Sequence, residues 1–185
     1  MKIIIFGILI LFISIKGFTQ ESVNSNGYGL ILPKIDYQKL YTPEYQNKKW
    51  TADLVDLNEN SKILRKIRLG DMEMFKKSSI QVIYQDLKNI TKILIVNIEY
   101  MACCSNIEDY YFMVDKNNNL IELPEIENSH CDGPEPYYTY IFPNQDGGEK
   151  DKIIYVKITP NEKFEREKIE ILKTYFWNGE SIIEK

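Results

Sequence analysis

The chain has 185 residues, with 23 basic against 27 acidic side chains and a formal charge of −4. A mildly acidic balance argues against nucleic acid and anionic membrane surfaces as partners, which both demand positive charge. A single histidine and nine glycines leave few parts for common catalysis, and phosphate-cradling glycine loops, a metalloprotease helix and a serine nucleophile elbow are all missing from the sequence.

Met1-Lys2 precedes the apolar run Ile3–Ile13, which closes through Ser14-Ile15-Lys16 to Gly17-Phe18-Thr19. One positive charge, a short apolar core and then small and polar residues form the layout of a secretory signal peptide, with cleavage before Gln20. The run falls short of the about 20 residues that a membrane span needs; a retained N-terminal anchor is the alternative. The first cysteine is Cys103, so a lipid-anchored N-terminus is not expected. Loss of residues 1–19 removes Lys2 and Lys16, leaving 21 basic against 27 acidic groups and a charge of −6. The expectation is an exported chain, periplasmic or secreted, soluble and without a membrane span after cleavage. Its Ile-, Asn-, Lys- and Tyr-rich composition resembles that of exported bacterial proteins, a likeness of style and not of family.

Residues 20–56 read as an irregular lead-in, with Tyr28, Tyr37, Tyr41, Tyr45 and Trp50 scattered among Pro33, Pro43 and polar residues. Residues 57–185 read as a single β-rich domain. Within it, 58–77 has the spacing of a helix: Asn58 or Asn60 caps the start, Ile63, Leu64 and Ile67 share a face, and Gly70 closes the end. Asp71 is placed at the start of a second short helix. From Ile80 the period changes to two. The strongest strand is Ile93–Met101, where Leu94, Val96, Ile98 and Tyr100 line one face while Ile93, Ile95, Asn97 and Glu99 share the other, as in a central strand with its second face half covered. Tyr110–Val114, Leu120–Leu123, Tyr137–Phe142, Ile153–Ile158 and Lys168–Trp177 follow. Asn178-Gly179 then turns the chain into Ser181-Ile182-Ile183, because both turn residues tolerate positive φ. The expected class is α+β, mostly β: an antiparallel meander or small sandwich of about seven strands with one or two N-terminal helices.

Cys103 and Cys104 are adjacent, and Cys131 lies about 27 residues on. In an oxidising compartment these are disulfide candidates. Neighbours on an extended chain point to opposite faces, so Cys131 reaches only one of them, Cys103 or Cys104. Closing such a loop stabilises by roughly 3–4 kcal/mol in the chain-entropy model. Cys103, Cys104, His130 and Cys131 also have the types of a zinc set, but vicinal pairs lack the separation that lets both ligands face one ion. A Cys104–His130 pair oriented by Asp132 can be drawn as a nucleophile and base, without any family-type sequence around it.

Asp115, Asn117 and Asn119 offer oxygens at alternate positions, as calcium requires, yet Leu120 and Ile126 stand where such a loop needs Gly and Glu. A polar hairpin turn accounts for the same letters. Two acidic groups, Glu108-Asp109 and Glu122 with Glu125 and Glu127, supply carboxylates of the kind that glycoside hydrolysis uses in pairs.

The reading that these features favour is an exported binding module without catalytic activity and without cofactor or metal, of the inhibitor or immunity kind, whose partner is another protein of the envelope or exterior. The contact segment is placed at Asp132-Gly133-Pro134-Glu135-Pro136-Tyr137-Tyr138 together with the loop that begins at Phe142. The residues singled out are Asp132, Pro134, Tyr137, Tyr138 and Phe142: prolines stiffen the loop and rings supply contact area at small entropic loss. The alternatives are an envelope hydrolase using carboxylates or His130, and a structural component of a surface assembly. Intact mass spectrometry of the exported protein is expected to show a chain starting at Gln20 and lighter by two hydrogens from one disulfide; a full-length mass with three free thiols overturns the export reading.

Overall fold

The computed structural model describes residues 22–184 except 37, 40, 102–103, 131–133 and 164. The leader and its cleavage point lie outside them. The described chain is mostly β, with 59% of residues in strands and 3% in helix. Its thirteen strands in three antiparallel sheets replace the expected single meander or sandwich of about seven, because the lead-in and the expected helical stretch are themselves strands. No helix among the described residues is long and apolar enough to cross a membrane.

The first sheet comprises β1 (Ser22–Ser25), β2 (Tyr28–Ile31), β3 (Trp50–Asp56) and β4 (Lys62–Leu69), in chain order. Asn26 and Gly27 sit at φ 47° and 84° between β1 and β2, the two-residue turn that needs positive φ at both places. One short helix, α1 (Pro43–Gln46), interrupts the β2–β3 connection. Much of the expected lead-in is therefore sheet, short and separated by proline-bearing loops.

The expected helix over 58–77 is not formed. Those residues make a turn, then β4, then the start of β5 (Phe75–Ile83). The β3–β4 register shifts between Leu54 and Val55: Leu54 faces Arg65 and Val55 faces Ile63, which leaves Leu64 as the extra residue of a bulge. A bulge moves the alternation by one position. The apolar set Ile63, Leu64 and Ile67 thereby imitates helical spacing on an extended chain.

The second sheet runs β5, β6 (Ile90–Met101) and β7 (Ser105–Asp115), with β8 (Leu120–Glu122) and β9 (Ile126–His130) both paired to β7. The third contains β10 (Tyr137–Ile141), β11 (Lys152–Pro160), β12 (Arg166–Trp177) and β13 (Ile182–Glu184). The expected hairpin at Asn178-Gly179 connects β12 to β13: Gly179 has φ 101°, and Asn178 Oδ1 accepts the Glu180 and Ser181 amides at 2.8 and 2.9 Å.

The second sheet lies in the middle. Successive side chains of a strand point to opposite faces. On β6 and β7, Leu94, Val96, Ile98, Tyr110, Phe112 and Val114 pack with Leu30, Ala52, Leu54, Ile67 and Trp50 of the first sheet. Ile93, Ile95, Tyr111 and Met113, on the reverse face, pack with Tyr140, Phe142, Ile153, Tyr175 and Trp177 at the third sheet. Polar bonds fix the edges of both interfaces. Buried Asp56 accepts the Asn58 amide at 2.9 Å and the Asn118 side-chain amide, while Asn118 accepts the Tyr28 hydroxyl at 3.0 Å. At the opposite interface Trp177 Nε1 donates to the Lys88 carbonyl at 2.6 Å, and Asn89 donates to the Gly179 carbonyl at 3.1 Å.

Phe112 is 0% exposed on β7, whereas Ile63 is 51% exposed on β4. Phe112→Ala is expected to lower unfolding stability by about 3–5 kcal/mol and Ile63→Ala by no more than about 0.5 kcal/mol, measured by urea denaturation.

Candidate functional site

The inner face of β6 and β7 towards the third sheet changes chemistry along its length. Its first rows are Ile93 opposite Met113 and Ile95 opposite Tyr111. The next are Asn97 opposite Asp109 and Glu99 opposite Ile107. Neighbouring strands continue the polar rows: β5 sets Ser79 opposite Asn97 and Lys77 opposite Glu99, and β9 sets Asn128 opposite Ile107. The sheets thus separate over a polar floor, and a cleft of about 310 Å³ opens there between Lys77, Ser79, Asn97, Asp109 and Tyr138.

The floor is a linked hydrogen-bond network. Asp109 is buried and accepts from Asn97 Nδ2 at 2.5 Å and from Asn128 Nδ2 at 3.1 Å. Asn97 Oδ1 in turn accepts the Ser79 hydroxyl at 3.1 Å. Glu99, also buried, is paired with Lys76 at 2.5 Å and Lys77 at 3.0 Å. Burial opposes its ionisation, but the hydrogen bonds from the two lysines prevail and hold its carboxyl below the usual range. Buried carboxylates with this many partners are held in place and strengthen one another in a low-dielectric setting.

Asn128 connects this floor to the third sheet. Its Oδ1 accepts the Tyr138 amide at 2.7 Å and its Nδ2 donates to the Tyr138 carbonyl at 3.0 Å. One amide side chain thus stands where a neighbouring strand's backbone would, and joins β9 to β10. The Tyr138 ring then stacks on Tyr155, centroids 6.0 Å apart. Behind it Tyr111 shares a hydrogen bond of 3.2 Å with Thr139, and burial pushes the Tyr111 hydroxyl up to about 12.

The residues expected to meet a partner separate into three groups. Tyr137 and Tyr138 line the cleft and are half-buried; Pro134 is exposed just before β10. Asp132 lies outside the described residues. Phe142 is corrected: it is 0% exposed and packs at 6.3 and 6.4 Å from Tyr111 and Tyr140, so it belongs to the interior because strand alternation turns it towards the middle sheet. Cys103, Cys131 and the His130 side chain fall outside the described residues, so the proposed thiol–histidine pair and the zinc set fall there too.

The carboxylates of the hydrolase alternative are dispersed. Glu108 and Asp109 are consecutive on β7 and face opposite sides of the middle sheet. Asp109 looks into the cleft, while Glu108 accepts the Tyr110 and Tyr100 hydroxyls at 3.0 and 3.3 Å on the other face. Glu127 sits directly across from Glu108 on β9. Burial raises the Glu108 carboxyl above its usual range, and the nearby charges of Glu125 and Glu127 add to this. Glu122 instead pairs with Arg65 of β4. In the turn between β7 and β8, Asp115 accepts the Asn117 and Asn119 amides, each at 2.8 Å, and the Asn119 side chain at 2.9 Å. Its oxygens thus close the turn, and the Asn119 side chain leads the bonds that lower its pKa.

Of the residues that build the floor, the sequence points only to Asp109, as a candidate hydrolytic carboxylate; it does not mark Asn97 or Asn128 as site residues. A signal exists: Asn97 and Glu99 interrupt the run Ile93–Met101, which is otherwise apolar on both faces. No protein-family model matches this chain, and neither a curated protein nor a solved structure matches it.

A carboxyl whose folded-state pKa is raised favours the folded state only while protonated. Its penalty is absent below the ordinary carboxylate range and grows as pH rises through the folded value. Glu108→Gln is therefore expected to raise Tm near neutral pH by roughly 1–2 °C, discounted for its partial exposure, and to change it little near about pH 3.

Proposed function

We propose that this chain is an exported, soluble binding module without catalytic activity, which engages another protein of the envelope or exterior in the manner of an inhibitor or immunity protein. The observation that carries the reading is the placement of Tyr137 and Tyr138 at the cleft whose polar floor is bonded within itself. Tyrosines held by a strand on a fixed support give contact area with little ordering left to do on binding. Pro134 and Pro136, exposed immediately before them, restrict the approach of the preceding segment. The separation of Glu108 from Asp109 by the thickness of a sheet also favours binding over paired-carboxylate hydrolysis, which needs both groups around one bond.

A disulfide at the same end is part of this proposal. The β7–β9 register pairs Ser105 with His130. We propose Cys131, which follows His130 in sequence, as the partner of Cys104, which precedes Ser105; this leaves Cys103 over. Peptide mapping without reductant is expected to recover Cys104 linked to Cys131; a Cys103 link overturns the assignment.

The function itself is tested by capture from envelope extracts. The wild-type chain is expected to retain one stoichiometric protein, and Tyr137→Ala with Tyr138→Ala to lower retention at least about tenfold, the effect of losing two interface rings. In parallel, His130→Ala and Glu125→Gln with Glu127→Gln are expected to leave cell-wall and glycan turnover unchanged. Altered turnover in either variant overturns the non-catalytic reading.

A further inference from the structure

The long strand β12 has an open side. It pairs with β11 from Arg166 to Phe176, but β13 covers it only at Tyr175–Trp177. Among the described residues no strand pairs with its outer edge between Arg166 and Lys173, and every side chain in that stretch is exposed. Ile169 is 43% and Ile171 60% exposed, standing across from Ile158 and Val156 of β11. A row of free backbone groups with exposed apolar side chains is a template for another strand.

We propose that the occupant of this edge is β12 of a second copy of the chain, joined antiparallel about a two-fold axis through Ile169. The charge order singles out that register. With Ile169 opposite Ile169, Lys168 of each copy lies opposite Glu170 of the other, giving two cross-strand pairs of opposite sign. These positions lie in the regular run between the β12 bulge residues Glu167 and Leu172. Centring one residue earlier sets Lys168 against Lys168; centring one residue later sets Glu170 against Glu170. Like charges directly opposite are destabilising, and opposite charges with apolar neighbours are stabilising. A two-fold interface uses the same patch on both subunits, so this self-complementarity is the property it requires.

The other outer strand with a strongly charged sequence behaves differently. β4 ends the first sheet and carries Lys62, Arg65, Lys66 and Arg68. Paired with itself, it brings only positive charges together. Basic residues on an outer strand are a standard protection against edge-to-edge association. β12 also carries basic residues and two bulges, at Glu167 and Leu172, but between the bulges Lys168 and Glu170 have opposite signs, so a copy of itself meets it with unlike charges paired. The two sheets of four strands in the pair then become one sheet of eight.

The test is sedimentation velocity of the purified chain across about 1–200 µM, where an interface of this modest size associates. The expected result is a rise from one-chain to two-chain mass. Glu170→Lys places like charges at both cross-strand pairs and is expected to raise the dissociation constant at least about tenfold. Lys168→Glu combined with Glu170→Lys exchanges the signs together and is expected to restore the wild-type value. Ile169→Lys, which sets two lysines on the axis, is a second disrupting variant should Glu170→Lys fail to fold by circular dichroism. One-chain mass throughout, association of a folded disrupting variant equal to wild type, or no recovery in the double exchange overturns the proposal. One-chain mass together with an envelope protein whose capture Glu170→Lys abolishes also overturns it and assigns the edge to that protein.

Discussion

Ile93 and Leu94 are neighbours on β6, point in opposite directions and are both fully buried. Neither face of that strand can be left to water, and a single covering layer cannot satisfy it. Burying a side chain of this size stabilises by about 1.5–3 kcal/mol relative to leaving it exposed, and β6 and β7 together present such residues in both directions. The first and third sheets follow from this requirement. The first supplies Trp50, Leu54 and Ile67; the third supplies Tyr140, Ile153 and Trp177. Three layers are what a doubly apolar centre needs.

The cleft follows from the same strand. Where β6 passes from Ile95 to Asn97 its inner face ceases to be apolar, and tight packing against the third sheet would bury donors and acceptors. The network of Ser79, Asn97, Asp109 and Asn128 resolves this by pairing those groups with one another. Asn128 then reaches the Tyr138 backbone, so the polar floor is hydrogen-bonded directly to the strand that carries the tyrosines overlooking it. The sidedness of β7 also separates two chemistries. Asp109 belongs to that network, while Glu108, one residue away, is held under two tyrosine hydroxyls on the opposite face.

The parts of this architecture legible in the sequence were those set by local chemistry. Alternation identified β6 as a central strand, and Asn178-Gly179 identified the last hairpin. The β4 region misled because the bulge at Leu64 gave an extended segment helical spacing. The first three strands were obscured by their brevity and by the prolines between them, although Asn26-Gly27 carried the same turn signal as Asn178-Gly179. Tyr137 and Tyr138 were recognisable because proline and tyrosine cluster locally. The floor was not, since Asn97, Asp109 and Asn128 lie on three strands and meet only through register. Phe142 departs from expectation for a related reason: residue type suggests contact, but the pleat decides which way a ring points.

The chain has two tryptophans, and the three-layer arrangement assigns one to each interior: Trp50 sits between the first and middle sheets, Trp177 between the middle and third. Each indole is therefore a fluorophore for its own core. With one replaced by phenylalanine, the emission of the other follows the loss of a single interlayer contact, so a pair of optical traces distinguishes concerted melting of both layers from detachment of one while the other persists.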